Sequence, residues 1–233
     1  MCSLYAAMNL TESFLKITLL GAEWVMWLLV GLSVISITIM IERTLFFLFR
    51  RVNVDKLAND LKRMLRAGEG DKIRDSVQRS RAVECRVLAA GLAVAGRGSQ
   101  AASEAMQSVK ARERLRMESN LAVLGTLGNN APFVGLLGTV LGIIKAAHDL
   151  TSATAAEAAS ASAVMAGVFE ALVATAMGLF VAIPAVMAFN YFQRKARTIS
   201  GRADVLAHLL LSELAIRASK SPPKLTEPVS GNL

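Results

Sequence analysis

The chain has 233 residues, of which 54% are hydrophobic and only 19% are charged, and its mean hydropathy is +0.46. Soluble proteins usually carry about a quarter charged residues, so this composition indicates a membrane protein. It excludes a disordered chain, a collagen-like chain and a small secreted disulfide-rich protein. Abundant alanine and few aromatic residues (6%) favour helices over a barrel, and the net charge is +8. The two cysteines, Cys2 and Cys85, lie far apart and suggest neither a disulfide framework nor a zinc site.

Three uncharged stretches are long enough to cross a membrane as helices: Trp24–Ile41 with 18 residues, Leu121–Ile144 with 24 and Ala171–Phe192 with 22. At 1.5 Å per residue they reach about 27, 36 and 33 Å, against about 30 Å of hydrocarbon. The third stretch extends back towards Ala161 if Glu170 is tolerated. Helices satisfy the backbone of such runs in lipid, and the alternative is a set of buried core helices in a soluble protein.

The N-terminal region does not have the pattern of a signal peptide. Lys16 is the one basic residue before the first stretch, and no small-residue cleavage site follows a short apolar core. We therefore expect the first stretch to be retained as a membrane anchor.

The basic residues are unevenly distributed along the chain. Residues 43–120 carry 17 Lys and Arg against nine acids and residues 193–233 carry seven against three, whereas residues 1–42 and 121–192 each carry one against three. The positive-inside rule predicts that both basic segments are cytoplasmic and that the N-terminus and the loop at 145–169 face outward. The basic residues can also contact membrane lipids with anionic headgroups. Nucleic-acid binding is the other explanation, but no basic surface with interleaved aromatic residues accompanies it.

The region between the first two spans has a helical pattern. Leu57, Leu61 and Leu65 recur at helical spacing, and glycine pairs predict helix breaks near residues 68–70 and 96–98. From about residue 101, a further helix is expected to run without a break into the second span. The third span is expected to continue as a basic helix to about residue 218, followed by a loose Pro-containing tail.

These elements predict an all-α protein with three transmembrane helices, in which long helices extend into a cytoplasmic helical region. In chain order, the predicted segments are a periplasmic or interfacial N-terminus (1–23), the first transmembrane helix (24–48), a cytoplasmic helical region (49–120), the second transmembrane helix (121–144), a short periplasmic loop (145–160), the third transmembrane helix (161–192), a cytoplasmic C-terminal helix (193–218) and a disordered tail (219–233).

Small residues recur on one face of the second and third spans, whereas the first span is built from bulky residues. The two stripes are Gly128, Pro132, Gly135, Thr139 and Gly142 in the second span, and Gly167, Ala171, Thr175, Gly178, Ala182 and Ala185 in the third. Small residues in lipid usually allow helices to pack closely, with each Thr hydrogen-bonded to its own helix or to a neighbour. The alternative is that the stripes form a pore wall, where Pro132 and Pro184 either kink the helices or shape the wall.

Thr139 and Thr175 are expected at similar depths, because they stand about 27 and 22 Å above Leu121 and Asn190 on antiparallel helices. Two hydroxyls at one level could form a polar ring in an oligomer. A hydroxyl does not titrate at ordinary pH, so a proton pore would need an ionisable group from another subunit. Glu170, about one and a half turns further outward, is a functional candidate because a carboxyl group near a span is costly. The alternative is that Glu170 lies at the outer interface between membrane and water, with the third span beginning just after it.

Two segments carry a resemblance to a known family. Residues 132–143 (PFVGLLGTVLGI) and 170–185 (EALVATAMGLFVAIPA) resemble the signature of the TolQ/ExbB proton-channel family. The number of spans, the charge layout and the large loop between the first two spans agree with it, so the resemblance covers roughly residues 15–217. Leu141 stands where several members carry Trp.

The resemblance implies a homo-pentameric channel in the bacterial inner membrane that holds the single-span helices of ExbD/TolR-like subunits, whose transmembrane carboxylate carries protons. It implies no metal or other cofactor. Thr139 and Thr175 match the family's pore-lining hydroxyls, and Glu170 matches its acidic residue in the third span, so these three residues are predicted to form the pore lining and proton pathway. From the two stripes, the predicted small residues of the pore wall are Gly135, Gly142, Ala171, Gly178 and Ala182. Such motors use the proton-motive force for outer-membrane uptake with a TonB-like transducer, for envelope integrity with a TolA-like transducer, or for gliding motility.

Other functions fit the sequence less well. A structural scaffold that stabilises single-span partner proteins is the alternative to a channel. A secondary transporter would need repeated halves with broken helices, which three unequal spans do not supply. An enzyme is not expected, because the Gly-rich run lacks the ending of a phosphate-binding loop and because His148 and His208 are isolated.

Overall fold

The computed structural model of the chain describes residues 23–50, 52–67, 75, 77, 79–152 and 161–220. Within these residues the secondary structure is helical, without a β-strand, and the predicted all-α fold is confirmed. The elements are, in chain order, α1 (Glu23–Leu48), α2 (Val54–Ala67), α3 (Val83–Val94), a 3₁₀ turn (Ala95–Arg97), α4 (Ser99–Glu118), α5 (Leu121–Ser152) and α6 (Ala161–Lys220).

Three helical stretches are long and apolar enough to cross a membrane, as predicted: Glu23–Leu48, Ser99–Leu150 and Val164–Ile216. In each of them, the most apolar segment of 18 residues is largely exposed in the single chain, with a buried share of only 17%, 28% and 28%. Each stretch therefore presents a large apolar surface to its surroundings. Such surfaces need lipid or other chains against them. The chain is therefore built as a multi-pass membrane protein.

Helices α4 and α5 are separate, and the prediction of one unbroken helix from residue 101 into the second span is wrong. Asn120 adopts a left-handed backbone conformation (φ 59°), and Ser119 before it is extended (ψ 148°). After glycine, asparagine is among the residues that tolerate the left-handed region best. The Asn120 side chain also donates a hydrogen bond of 2.9 Å to Glu42 Oε2 of α1, which holds the break in place.

The other helix ends can be compared with the sequence in the same way. Helix α5 continues to Ser152 instead of ending near residue 144. Helix α6 runs from Ala161 to Lys220, in agreement with the predicted continuation of the third span. The break predicted at 96–98 coincides with the 3₁₀ turn and with Gly98 directly after it, whose φ of 104° favours glycine. The break predicted at 68–70 and the tail from residue 221 onward lie outside the described residues.

The described residues form two compact units. The first, which we name the apolar unit, comprises residues 23–44, 120–152 and 161–193. Its core is formed by side chains of α1, α5 and α6, and the buried members are Val25, Leu29, Ala131, Leu141, Val181 and Ala182. Val25 and Leu29 lie one turn apart on one face of α1, and this face packs against α5 and α6 while much of the rest of the helix is exposed.

The second, which we name the basic unit, comprises residues 45–50, 52–67, 75, 77, 79–119 and 194–220. Its core combines side chains of α2, α3, α4 and α6, and the largest buried members are Leu61, Leu88, Met106, Leu206 and Leu210. Lys110 Nζ binds both carboxylate oxygens of Asp204, at 2.5 and 2.6 Å, and so joins α4 to α6.

Glu113 of α4 is fully buried in the basic unit, and three arginines surround its carboxylate. Arg50 Nη1 lies 3.3 Å from Oε2, while Arg86 Nη1 and Arg116 Nη1 lie 2.7 and 3.1 Å from Oε1. We name these four residues the Glu113 cluster. Since a buried carboxylate without counter-charges is costly, the cluster ties the chain after α1 and helix α3 to α4.

Glu84, in the first turn of α3, is a second buried carboxyl group of the basic unit. Its Oε2 atom finds no hydrogen-bond donor among the described residues. Burial raises the pKa of Glu84, and a backbone hydrogen bond and the positive charge of Arg202 oppose part of that rise. The two buried carboxyl groups therefore differ in their surroundings. Glu113 has three counter-charges, whereas the pKa of Glu84 is raised.

We expect Glu113→Gln to destabilise the basic unit, because the three guanidinium groups would lose their buried counter-charge. The arginines keep contact with water, so the loss should be roughly 1–3 kcal/mol instead of the larger value for a fully buried pair. Thermal unfolding of the full-length protein in a mild detergent, followed by circular dichroism, measures the change. The matched control is Glu118→Gln, since Glu118 is 40% exposed and pairs with Arg114 on the helix surface. Equal shifts for the two variants would contradict a structural role of the cluster.

Candidate functional site

The backbones of α5 and α6 come into close contact at two glycines. A Cβ atom on Gly135 would lie 2.8 Å from the carbonyl oxygen of Ala174, and a Cβ atom on Gly178 would lie 2.8 Å from the carbonyl oxygen of Ala131. Backbone atoms cannot rotate away as a side chain can, so neither position accepts a side chain at this helix separation. The two helices therefore meet backbone to backbone at this level.

Small residues continue this contact towards both ends of the two helices. Towards one end, a Cβ atom on Gly142 would lie 2.8 Å from Ala171 Cβ, and towards the other Gly128 lies against Val186. The two predicted stripes thus face each other within one chain, as expected for close helix packing in lipid.

The predicted pore-wall residues take part in this packing. Gly135, Gly142, Ala171 and Gly178 lie in the contact between α5 and α6, and Ala182 is buried in the core cluster that includes α1. Their position explains their small size by packing alone. A role as the wall of a pore in an assembly remains a prediction.

Thr139 and Thr175 meet at the edge of this contact. Their Oγ1 atoms are 3.2 Å apart, so the structure brings together the two hydroxyls that were expected at similar depths. Thr139 Oγ1 also lies 2.6 Å from the Leu136 carbonyl oxygen, and Thr175 Oγ1 lies 3.2 Å from the Gly135 carbonyl oxygen on the facing helix. Thr139 is only 8% exposed, whereas Thr175 is half-buried.

The chemistry of the threonine pair follows from a count of its hydrogens. Two hydroxyls supply two donors, and four acceptor oxygens lie within reach, namely the Leu136 and Gly135 carbonyl oxygens and the two threonine oxygens themselves. The hydroxyl hydrogens can therefore be redistributed among these acceptors without moving a heavy atom. Such a pair can donate to an anion or accept from an acid, but it carries no charge of its own.

Glu170 lies five residues before Thr175 on α6 and is exposed on the surface of the chain. The separation is about 7.5 Å along the helix axis. Its neighbours Phe169 and Leu172 are exposed as well, at 69% and 59%, whereas Ala171 is fully buried against α5. The structure therefore does not bring the Glu170 carboxylate into the threonine pair within one chain.

Both prolines of the predicted site lie inside continuous helices, Pro132 in α5 and Pro184 in α6. Each removes one backbone donor, and its ring crowds the carbonyl group one turn earlier. Pro132 is half-buried and Pro184 is exposed. A helix-shaping role for either residue remains a prediction.

Three participants in this contact were not included in the predicted stripes. Gly138 lies against Ala174 of α6 and against Val25 of α1, and the Ala131 carbonyl oxygen limits the space at Gly178. Gly138 is three residues from Gly135 and four from Gly142, so the same spacing rule would have identified it. The other two positions are alanines, which are too common in this chain to stand out.

No group of His, Cys, Asp and Glu side chains that could hold a metal ion occurs in the part of the chain that the structure describes. His148 and His208 are both exposed, and His148 lies 3.8 Å from the adjacent Asp149. The site is therefore built from hydroxyls, carbonyl oxygens and closely packed backbone.

A family model matches the part of the chain that contains these residues. The model of the MotA/TolQ/ExbB proton channel family matches residues 79–204, which is more than half of the chain. The matched segment includes α4, α5 and most of α6, and therefore the threonine pair, Glu170 and the glycine contact.

Individual relatives resemble part of the chain. The biopolymer transport protein ExbB of Xanthomonas campestris pv. campestris is 44% identical over 110 residues, which cover 47% of this chain and 42% of that protein. The Tol-Pal system protein TolQ of Pseudomonas aeruginosa is 41% identical over 100 residues, which cover 43% and 42%. A putative biopolymer transport protein ExbB-like 2 of Helicobacter pylori is 40% identical over 94 residues, which cover 40% and 61%. The matches thus span less than two thirds of each relative.

We expect Gly178→Ala to weaken the packing of α5 on α6, because the new methyl group would meet backbone atoms of Ala131 and Gly135. Overpacking of this kind typically costs about 1–3 kcal/mol. Thermal unfolding of the full-length protein in detergent measures the loss. Gly31→Ala is the matched control, since a Cβ atom there meets no other atom within 4 Å. A Gly178→Ala protein as stable as the Gly31→Ala protein would show that the glycine contact is not needed.

Proposed function

Because this chain belongs to the MotA/TolQ/ExbB proton channel family, we propose that it is the proton-channel subunit of an energy-transducing motor in the bacterial inner membrane. The observation that carries the proposal is the contact between the Thr139 and Thr175 hydroxyls, 3.2 Å apart between the apolar stretches of α5 and α6. Polar groups at such a depth are costly and mark candidate functional sites. The relatives named ExbB and TolQ support the same assignment.

The proton carrier in this proposal is a carboxylate on a second protein. Neither Thr139 nor Thr175 titrates at ordinary pH, so these residues hold the carrier but do not replace it. A deprotonated carboxylate accepts a hydrogen bond from a threonine hydroxyl, and a protonated carboxyl group donates one to a threonine oxygen. The pair can therefore serve both states of an ExbD/TolR-like single-span partner.

The channel is proposed to be a homo-pentamer that surrounds the partner helices. The large exposed apolar surfaces of the spans and the half-buried Thr175 support an assembly around a common axis. Each charge that crosses the membrane releases about 2.3 kcal/mol per 100 mV, so a few protons can drive one mechanical step. In this assembly, the contact at Gly135 and Gly178 would set the distance between α5 and α6 in the channel wall.

The basic unit is proposed to be cytoplasmic, with the N-terminus on the periplasmic side. The support is the excess of Lys and Arg in residues 43–120 and 193–233, which follow the first and third spans. The proposed work is outer-membrane uptake, envelope integrity or gliding motility, through a TonB-like or TolA-like transducer where one is used. The names of the relatives include both biopolymer transport and the Tol-Pal system.

We expect Thr175→Val to reduce partner-dependent proton uptake by about tenfold or more, because a hydrogen bond to a charged group is worth roughly 1.5–3 kcal/mol. The measurement uses vesicles that contain the full-length chain and its single-span partner, with a pH-sensitive dye inside. Valine keeps the shape of threonine, so the oligomer and the protein level should persist.

Thr38→Val is the matched control for this experiment. Thr38 lies in α1, and its exposed hydroxyl donates to the Val34 carbonyl oxygen of its own helix. Proton uptake should therefore stay near the wild-type level. Normal uptake in the Thr175→Val protein would instead favour the alternative function, a scaffold that only stabilises single-span partners.

We expect Glu170→Gln to slow proton uptake by about two- to fivefold, because a negative charge near the channel raises the local proton concentration. The same vesicle assay measures the effect. Asp149→Asn removes an exposed negative charge of α5, 64% exposed, and serves as the control. Identical rates for the two variants would argue against a specific role of Glu170.

A further inference from the structure

The Glu113 cluster carries more positive charge than the buried carboxylate needs. One carboxylate faces three guanidinium groups, so the cluster has a local excess of two positive charges. Its arginines remain 25%, 38% and 48% exposed, whereas Glu113 is fully buried. The excess charge is therefore on the surface of the basic unit, where an anion can reach it.

Arg50 and Arg86 are held as neighbours by this arrangement. Arg50 Nη1 lies against one oxygen of the Glu113 carboxylate and Arg86 Nη1 against the other. The Arg50 guanidinium also lies over the Phe46 ring, 4.1 Å from its centroid. A guanidinium group has five N–H donors in a fixed plane, so each arginine retains donors beyond the one directed at Glu113. Two adjacent planar forks are suited to a phosphate group.

Exposed apolar side chains lie directly beside Arg50 in the sequence. Leu45 and Leu48, in the last turn of α1, are 47% and 49% exposed, and Phe49 is 76% exposed. The chain therefore changes from membrane-type apolar surface to fixed positive charge within a single helical turn. An acidic peptide or a free phosphate would use the arginines but would leave these apolar side chains in water.

We propose that Arg50 and Arg86 bind the phosphate group of an anionic phospholipid, with Leu45, Leu48 and Phe49 against its acyl chains. The inference rests on α1 as a membrane span and not on the threonine pair, so a failure of the proton-uptake experiment would leave it standing. A basic site beside a membrane helix attracts anionic lipid. The planar guanidinium groups of Arg50 and Arg86 add specificity for phosphate to this electrostatic attraction.

The test is a lipid titration of the full-length protein in a neutral detergent. Phosphatidylglycerol or phosphatidylcholine is added, and the bound lipids are counted by native mass spectrometry. We expect phosphatidylglycerol to bind about tenfold more tightly, because phosphatidylcholine carries a positive charge beside its phosphate. Arg50→Gln should lower the affinity for phosphatidylglycerol about tenfold, because a charge-assisted hydrogen bond to the phosphate is lost.

Arg79→Gln is the control with the same change of charge. Arg79 belongs to the same unit but is 81% exposed and pairs with Asp75. Its substitution should change the affinity less than twofold. Equal losses for Arg50→Gln and Arg79→Gln would overturn the proposal, because the effect would then be one of net charge.

A second variant and a competitor address the remaining explanations. Phe49→Ser alters an exposed side chain and leaves the ion pairs in place, so the fold should persist if Arg50→Gln unfolds the basic unit. It should weaken phosphatidylglycerol binding about threefold. Inorganic phosphate at millimolar concentration should not displace the lipid. Complete displacement, or an unchanged affinity of the Phe49→Ser protein, would overturn the assignment to a phospholipid.

Discussion

The packing of the apolar unit depends on the approach of two backbones at Gly135 and Gly178. No side chain separates α5 from α6 there, because a single methyl group would lie 2.8 Å from a carbonyl oxygen on either side. This separation allows Thr175 to reach the Gly135 carbonyl oxygen and the Thr139 hydroxyl. A larger separation of α5 and α6 would move the two threonines apart. The polar site therefore depends on the absence of side chains at Gly135 and Gly178.

The proposed mechanism divides the chemistry between two proteins in a way that this geometry supports. The chain supplies neutral hydroxyls, which bind either form of a carboxyl group without adding charge to an apolar region. The titrating group enters with the proposed partner. A channel subunit of this design holds no buried charge at the threonine level while its partner is elsewhere. In the basic unit, by contrast, two buried carboxyl groups are present. Arginines pair with Glu113, and burial raises the pKa of Glu84.

The sequence predicted what repeats locally and missed what depends on distant contacts. The stripes and the depth of the threonines follow from helical spacing and rise alone, so three spans and a Thr139–Thr175 neighbourhood were predictable. The break at Ser119 and Asn120 was not, because neither residue is glycine or proline and the bond that fixes Asn120 comes from Glu42, 78 positions away. In the Glu113 cluster, Arg50 pairs with Glu113, which is 63 positions further along the chain. Helical spacing does not predict a pairing over such a distance.

The glycine contact also limits how this protein can change over evolutionary time. In most helix interfaces, a larger residue on one helix can be offset by a smaller residue on the other. Gly135 and Gly178 face backbone atoms, and glycine has no side chain left to remove. A substitution at either position therefore has no partner whose shrinkage could compensate for it, and drift in this region should proceed through the lipid-facing positions instead.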